Sequence, residues 1–311
     1  MDEIDFTISL LLMANSRTPY RQFAEMFKMS VNSIHKRVKS MVELGVIKNF
    51  NARLGPITLS NYTNIFSFGV SKTKDPKSTI EKIGAHEYIY NVTQASSNLF
   101  YIHAHLNNLN KLESLVTFIR QTGQINELTL GIHSSSIDVN IKDLGDTSLS
   151  KLDYLIIQEL KDNSRKPITD ISVELGVSTK TVRRHLNRLI ENGLIVLSID
   201  WYPDKTSEFL SFVQIYLDPS ESNEKINIIN ELRKEFGSKI LFSWNFGNLP
   251  NLLIICFWTR TMKELQEIEA KLMSKTFDSV KVTILLAGKN FPSWVDKYLE
   301  DKINEIKTQS S

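Results

Sequence analysis

Shifted by 148 positions, the chain matches itself without a gap, and this repeat limits the fold more tightly than any other feature. Asp5 falls on Asp153, and the run Asn15-Ser16-Arg17 on Asn163-Ser164-Arg165. Pro19 falls on Pro167, Ser30 on Ser178, Ile34 on Val182, Glu43 on Glu191, Gly45 on Gly193 and Ile47 on Ile195. One shared motif could arise by chance. A register held through three helical segments means two copies of one structural unit.

Each copy is read as three helices. They cover about 5–14, 20–27 and 31–44 in the first copy and 151–162, 169–175 and 179–192 in the second. The third helix of the second copy places Val182, Leu186, Leu189 and Ile190 at the spacing of one buried face. Its outward positions carry Thr179, Lys180, Arg183, Arg184, Asn187 and Arg188, and no acid occurs from Ser178 to Ile190. Ser178 suits the N-cap, and Gly193 suits the left-handed residue past the C-terminus. Between helices two and three, Gly176 suits the tight turn of a helix-turn-helix; Lys28 takes that place in the first copy, a less forgiving choice. The β-prone stretches 46–54 and 194–202 then read as the wing hairpins of two winged helices.

A short helix with one apolar face and one face of Arg, Lys, Thr and Asn suits the DNA major groove. Arg and Lys read guanine edges or neutralise phosphates, and Asn reads adenine. The DNA-contacting set is therefore Thr179, Lys180, Arg183, Arg184, Asn187 and Arg188, with Asn32, Ser33, His35, Lys36 and Lys39 in the first copy. Because the copies differ, the half-sites they read need not match, and the second copy should hold DNA more tightly. The bland alternative is a solvated basic face. The preceding helix-turn-helix pattern and its duplication argue for the groove.

Charge supports a local footprint and not a basic protein. The net charge is +2 over 311 residues; residues 1–55 hold eight Lys/Arg against five Asp/Glu, and 148–204 hold eight of each. The single cysteine, Cys256, excludes a disulfide or a cysteine metal site within one chain. No apolar run nears the ~20 residues that span a bilayer, and MDEIDF has no signal-peptide pattern, so a cytoplasmic protein with no membrane partner is expected. His103 and His105 share a strand face, but no third ligand has convincing spacing, so neither a metal nor a cofactor is expected. Trp201, Trp244, Trp258 and Trp294 all fall in the second half and are read as packing residues.

After each winged helix the pattern becomes βαββαβ. The first set is 64–70, 77–86, 88–94, 99–106, 109–121 and 125–133; the second is 210–217, 224–236, 241–245, 252–258, 262–275 and 280–287. A charged helix at 293–306 ends the chain. The fold class is α+β: two winged helix-turn-helix domains, each followed by a ferredoxin-like domain. The expected boundaries are 1–55, 56–142, a linker at 143–150, 151–204, 205–290 and a tail at 291–311.

This plan resembles the leucine-responsive/asparagine-regulator (Lrp/AsnC) family. The resemblance is carried by Leu152-Asp153, Asn163-Ser164-Arg165, Leu175-Gly176-Val177-Ser178, and Val182, Arg183, Arg184, Leu186, Leu189, Asn192, Gly193, Leu194 and Ile195. It implies a transcription regulator whose second module pairs sheets and can bind a small effector, often an amino acid. Ordinary members carry one copy of each module and dimerise, and many form octamers. Here one polypeptide carries both copies, so an intrachain pseudo-dimer on double-stranded DNA is expected, with its far faces free for further assembly. The family's effector loop has a glycine followed by an aromatic–Asp pair. Here the loops read Ala95-Ser96-Ser97-Asn98-Leu99 and Gly247-Asn248-Leu249-Pro250-Asn251. Ser97, Asn98, Gly247, Asn248 and Asn251 are the effector candidates, and the missing acid argues against an amino acid.

Sirohaem decarboxylases resemble the same layout, and their plan implies His and Arg near the middle-strand loops to handle tetrapyrrole carboxylates. Residues 91–99 and 245–252 contain neither. The enzyme is the alternative to the regulator, and the lack of groups for carboxylate binding and proton transfer weighs against it.

Overall fold

The computed structural model describes residues 1–59, 62–133, 148–202, 205, 207–218 and 224–309. In chain order the first half holds α1 (Glu3–Ala14), α2 (Tyr20–Phe27), α3 (Val31–Glu43), β1 (Ile47–Leu54), β2 (Thr63–Val70), α4 (Pro76–Gly84), β3 (Ile89–Ala95), β4 (Leu99–Leu106), α5 (Leu112–Thr122) and β5 (Thr129–Ile132). The second half repeats it with α6 (Lys151–Leu160), α7 (Ile168–Glu174), α8 (Thr179–Glu191), β6 (Ile195–Trp201), β7 (Phe209–Tyr216), α9 (Lys225–Phe236), β8 (Ile240–Asn245), β9 (Leu252–Thr259), α10 (Met262–Met273), β10 (Ser279–Asn290) and α11 (Trp294–Thr308). Positions 143–147 of the expected linker lie outside the described residues; Ser150 is the N-cap of α6. The chain divides into two units, one holding both winged helices with α11 and the other both βαββαβ halves.

In the first unit the repeat is visible in the caps. Asp2 with Asp5 and Ser150 with Asp153 form the same reciprocal box, which satisfies two otherwise unpaired backbone donors at each helix start. The turn before α3 is left-handed at Lys28 (φ 53°), and Gly176 (φ 64°) makes the same turn before α8.

The wings differ from the sequence reading. Among the described residues, neither copy makes a hairpin of its own. β1 pairs antiparallel with β6, running from Leu54 opposite Ile195 to Asn49 opposite Asp200, so the two copies share one two-stranded sheet. The reason is local. After Leu54 the chain enters a 3-10 turn at Pro56–Thr58, and Pro56 has no N–H for a return strand. Gly55 passes so close to the other copy that a Cβ there would lie 1.9 Å from the Gly193 carbonyl oxygen; its own N–H donates to Leu194 at 2.8 Å. The exchange also completes the core. Ile8, Leu12, Phe23, Ile34, Val38, Met41 and Ile47 of the first copy pack with Ile199 and Trp201 of the second. α11 packs on α6 and β1 through Val295, Leu299 and Ile303, with Lys161 Nζ 2.6 Å from Glu300.

The second unit is one eight-stranded sheet in the order β5-β2-β4-β3-β10-β7-β9-β8. Each half keeps ferredoxin-like strand order, and the halves join through β3 and β10. β10 is longer than the expected 280–287 because it serves two partners: Ser279–Ile284 pairs with β7, and Leu285–Asn290 with β3. At the other end His133 bridges to Phe246, so the outermost strands also meet. Side chains from both halves fill the space between: Phe66, Phe68, Tyr101, Phe212, Phe246, Ile254 and Cys256, with Trp244 beside them. The Tyr101 hydroxyl accepts from Gln214 Nε2 at 2.9 Å and shares a hydrogen bond with Thr283 at 2.8 Å. Trp201 and Trp244 thus both pack against the opposite copy, on Phe6 and Phe66.

Candidate nucleic-acid interface

The two third helices are built alike. Ser30 Oγ accepts from the Ser33 N–H at 3.0 Å, and Ser178 Oγ accepts from the Thr181 N–H at 3.1 Å. Ile34, Val38 and Met41 of α3 are buried, as are Val182, Leu186 and Leu189 of α8. Ile190, expected on the buried face, is only partly covered.

On α8, Thr179, Lys180, Arg183, Arg184 and Asn187 are exposed together. Arg188 is placed otherwise. Its Nη2 lies 2.5 Å from Asp153 Oδ2 and also donates to the Ser148 carbonyl, so it turns back to the start of α6. His185 Nδ1 reaches the other oxygen of Asp153 at 2.8 Å. Asp153 is wholly buried. Burial pushes its carboxyl up, but hydrogen bonds from Ser150 and His185 and the charge of Arg188 outweigh that and hold it below its ordinary value.

On α3, Asn32, His35, Lys36 and Lys39 are exposed, and Ser33 is half-buried beside its cap. The His35 ring meets the Tyr20 ring edge-on at 5.7 Å between centroids, and Lys39 Nζ lies 3.7 Å from Glu43. Arg37, at the position of His185, bonds Asp2 at 2.8 Å and Asp5 at 2.7 Å. Each third helix is therefore clamped to the first helix of its own copy through the repeated acid, Asp5 or Asp153.

The two heads interlock about a pseudo-two-fold axis. The Ser16 and Ser164 hydroxyls, both fully buried, lie 2.6 Å apart. Arg17 Nη1 donates to the Ser164 and Lys166 carbonyls at 2.6 and 2.8 Å, and Arg165 Nη1 donates to Ser16 and Thr18 at 2.6 and 3.3 Å. Arg165 also lies 4.2 Å above the Tyr20 ring. Burial lowers both guanidinium pKa values, and the nearby Arg165 charge adds to this at Arg17. In the sequence the Asn-Ser-Arg run reads as a repeat marker and as part of the family resemblance, not as an interlock. Its identity in both copies was the available signal, since residues on a dyad face their own counterparts.

In the second unit the effector candidates are largely engaged with the backbone. Ser97 and Asn98 adopt left-handed conformations (φ 58° and 55°), and Asn98 Nδ2 donates to the Ser71 and Thr73 carbonyls. Asn248 accepts from the Ile132 N–H at 2.7 Å and donates to the Leu130 carbonyl at 2.8 Å, and Gly247 N–H donates to Ile132. The Asn251 carbonyl accepts from Leu217, and Lys225 reaches the Phe246 and Leu249 carbonyls. His103 and His105 do share a face, both against Tyr90; His103 is buried, and its pKa is pushed down to about 3 by desolvation, then by His133.

A family model described as winged helix-turn-helix DNA-binding matches residues 1–48 and 149–196, two copies 148 positions apart. HTH-type transcriptional regulator Ptr1 of Methanocaldococcus jannaschii is 35% identical over 88 residues, which is 27% of this chain and 58% of that protein. HTH-type transcriptional regulator LrpA of Pyrococcus horikoshii is 29% identical over 90 residues, 29% of this chain and 63% of that protein. The chain spans about half the length of the curated relatives it matches. The crystal structure of the siroheme decarboxylase NirDL covers 97% of this chain and 99% of its own at a TM-score of 0.58 and 11% identity, a likeness of fold.

Proposed function

We propose that this chain, a tandem protein of Lrp/AsnC type, is a sequence-specific DNA-binding transcription regulator acting as a single-chain pseudo-dimer. The carrying observation is the reciprocal interlock at Ser16–Ser164 and Arg17–Arg165, which fixes two capped recognition helices in one unit. In other regulators with dimeric helix-turn-helix heads, such pairs meet half-sites about one helical turn or a multiple apart. Lys180, Arg183 and Arg184 are the main cationic contacts of the second head and Lys36 that of the first; Thr179, Asn187, Asn32, Ser33 and His35 lie at the base edges. Arg188 and Arg37 hold the helices in place. Phosphate contacts provide much of the affinity, so binding weakens steeply with salt. No helix among the described residues is long and apolar enough to cross a membrane. A cytoplasmic location belongs to the same proposal, and it follows from the DNA-binding reading.

The test is selection of duplex DNA from a random pool by the full chain, beside an Arg183→Ala/Arg184→Ala variant and a Lys36→Ala variant. The expected result is a bipartite site, with the double arginine variant losing one half. Each base-reading Arg contributes about 1–3 kcal/mol of discrimination. Unchanged affinity and salt slope in the arginine variant would overturn the assignment.

An effector for the paired βαββαβ module belongs to the same proposal. Ser97 and Asn251 would carry its polar contacts, since the side-chain amides of Asn98 and Asn248 already serve the backbone. Assembly of pseudo-dimers into larger oligomers is part of it too. The enzyme remains as a second reading because the fold of siroheme decarboxylase NirDL follows nearly the whole chain. Spectroscopic titration with an iron-uroporphyrin III analogue separates the two: the regulator reading expects no saturable binding.

A further inference from the structure

The dyad makes α3 and α8 structurally equivalent, so each outward position of one has a counterpart on the other. The chemistry at these positions differs in a consistent direction. Val31 opens α3 and is 46% exposed, an apolar side chain at the end of a recognition helix that enters the groove first; Thr179 stands in its place on α8. Asn32 corresponds to Lys180, His35 to Arg183 and Lys36 to Arg184. Cations free to meet DNA differ as well. On α3, Arg37 is bound to Asp2 and Asp5, and Lys39 lies beside Glu43, which leaves Lys36. On α8, Lys180, Arg183 and Arg184 have no acidic partner among the described residues.

Base edges sort these groups. Guanine offers two acceptors to Arg or Lys, adenine pairs bidentately with Asn, and thymine presents a methyl group that takes an apolar contact. We propose that the two heads read half-sites of opposite base composition: α3 an A·T half-site, with a thymine methyl against Val31 and an adenine at Asn32, and α8 a guanine-containing half-site through Arg183 and Arg184. The chain then sits on its operator in one orientation only. This rests on the DNA-binding reading above and adds the identity of the bases and a polarity to it.

The experiment uses the full chain and the bipartite site recovered by selection. The half lost by the Arg183→Ala/Arg184→Ala variant belongs to α8. The expected result is a guanine in that half and an A·T run in the other. Replacing thymines of the α3 half by deoxyuridine removes only the methyl groups. One lost methyl contact, at ~0.8 kcal/mol per buried carbon, lowers affinity about fourfold. The same replacement in the α8 half, where Thr179 with its single smaller methyl stands in place of Val31, has the weaker effect, whereas 7-deazaguanine there lowers affinity about tenfold or more. Val31→Ser, an exposed change outside the core, abolishes the deoxyuridine effect and leaves the α8 half unchanged. A palindromic site, equal composition in both halves, or an α3 half indifferent to deoxyuridine overturns this inference and leaves the regulator reading standing. Selection that enriches no sequence overturns both.

Discussion

Ser16 and Ser164 allow a sharp test of the interlock. Their hydroxyls are wholly buried, 2.6 Å apart, and each is the other's side-chain partner. Ser16→Ala removes one hydroxyl and strands the other in the interior. A buried polar group left without a partner costs about 1–3 kcal/mol, and Ser164→Ala should cost the same. The double variant leaves no stranded group, and replacing both partners by apolar groups is nearly neutral, so it should lose about 1 kcal/mol or less. The double-mutant cycle then gives a coupling of roughly 2 kcal/mol, opposite in sign to the single losses. Arg17 and Arg165 remain in place, so the heads stay docked in all three variants. Native-state hydrogen exchange of the β1 and β6 amides reads the opening free energy of this unit without requiring the whole chain to unfold in one step. At 1.4 kcal/mol per decade, each single variant should speed exchange by about tenfold or more, and the double variant should return toward the wild type. A double variant that loses the sum of the single losses refutes the reasoning.

The turn before α3 offers a second test. Lys28→Gly relieves a left-handed L-residue and should raise stability by about 0.5–1 kcal/mol, while Gly176→Lys should lower it by a similar amount; thermal unfolding measures both. Asp153→Asn breaks the clamp on α8 and should cost about 2–4 kcal/mol, less than for a fully buried pair because the Arg188 side chain is 31% exposed. The Asp153 carboxyl is held below its ordinary value, so its contribution is complete above about pH 4 and is lost as pH falls through the lower native value; denaturant titrations in acid should show that loss in the wild type and not in the variant. His103 has the opposite charge chemistry: it is buried neutral, with its pKa lowered from 6.5 to about 3. Below about pH 6 the unfolded chain gains a proton there that the native chain does not, so the second unit should lose about 1.4 kcal/mol per pH unit, and His103→Gln should remove that slope in exchange measurements on β4.

The helices, their caps and the two recognition faces were legible in the sequence because they depend on residues three or four apart. Ser178 and Gly176 speak for α8 without outside help, and Val182, Leu186 and Leu189 name its buried side. The same local view misplaced Arg188. Its spacing puts it near the outward face, but a long side chain can reach back, and a buried acid on α6 decides where it goes. The effector loops show a similar limit: Asn98 and Asn248 read as ligand groups by position, yet their amides satisfy backbone that the fold leaves open nearby.

What the sequence alone determined was that there are two copies, which segments are helix or strand, and which side chains face outward on α3 and α8. Only the tertiary structure decided how the copies join. The strands after each recognition helix announce a buried face but not a partner, because an antiparallel ladder is written in backbone groups common to all residues. The apparent wings therefore became one shared sheet, and an Asn-Ser-Arg repeat became a dyad. A strand pattern specifies what must be covered, and the geometry of the whole unit selects what covers it.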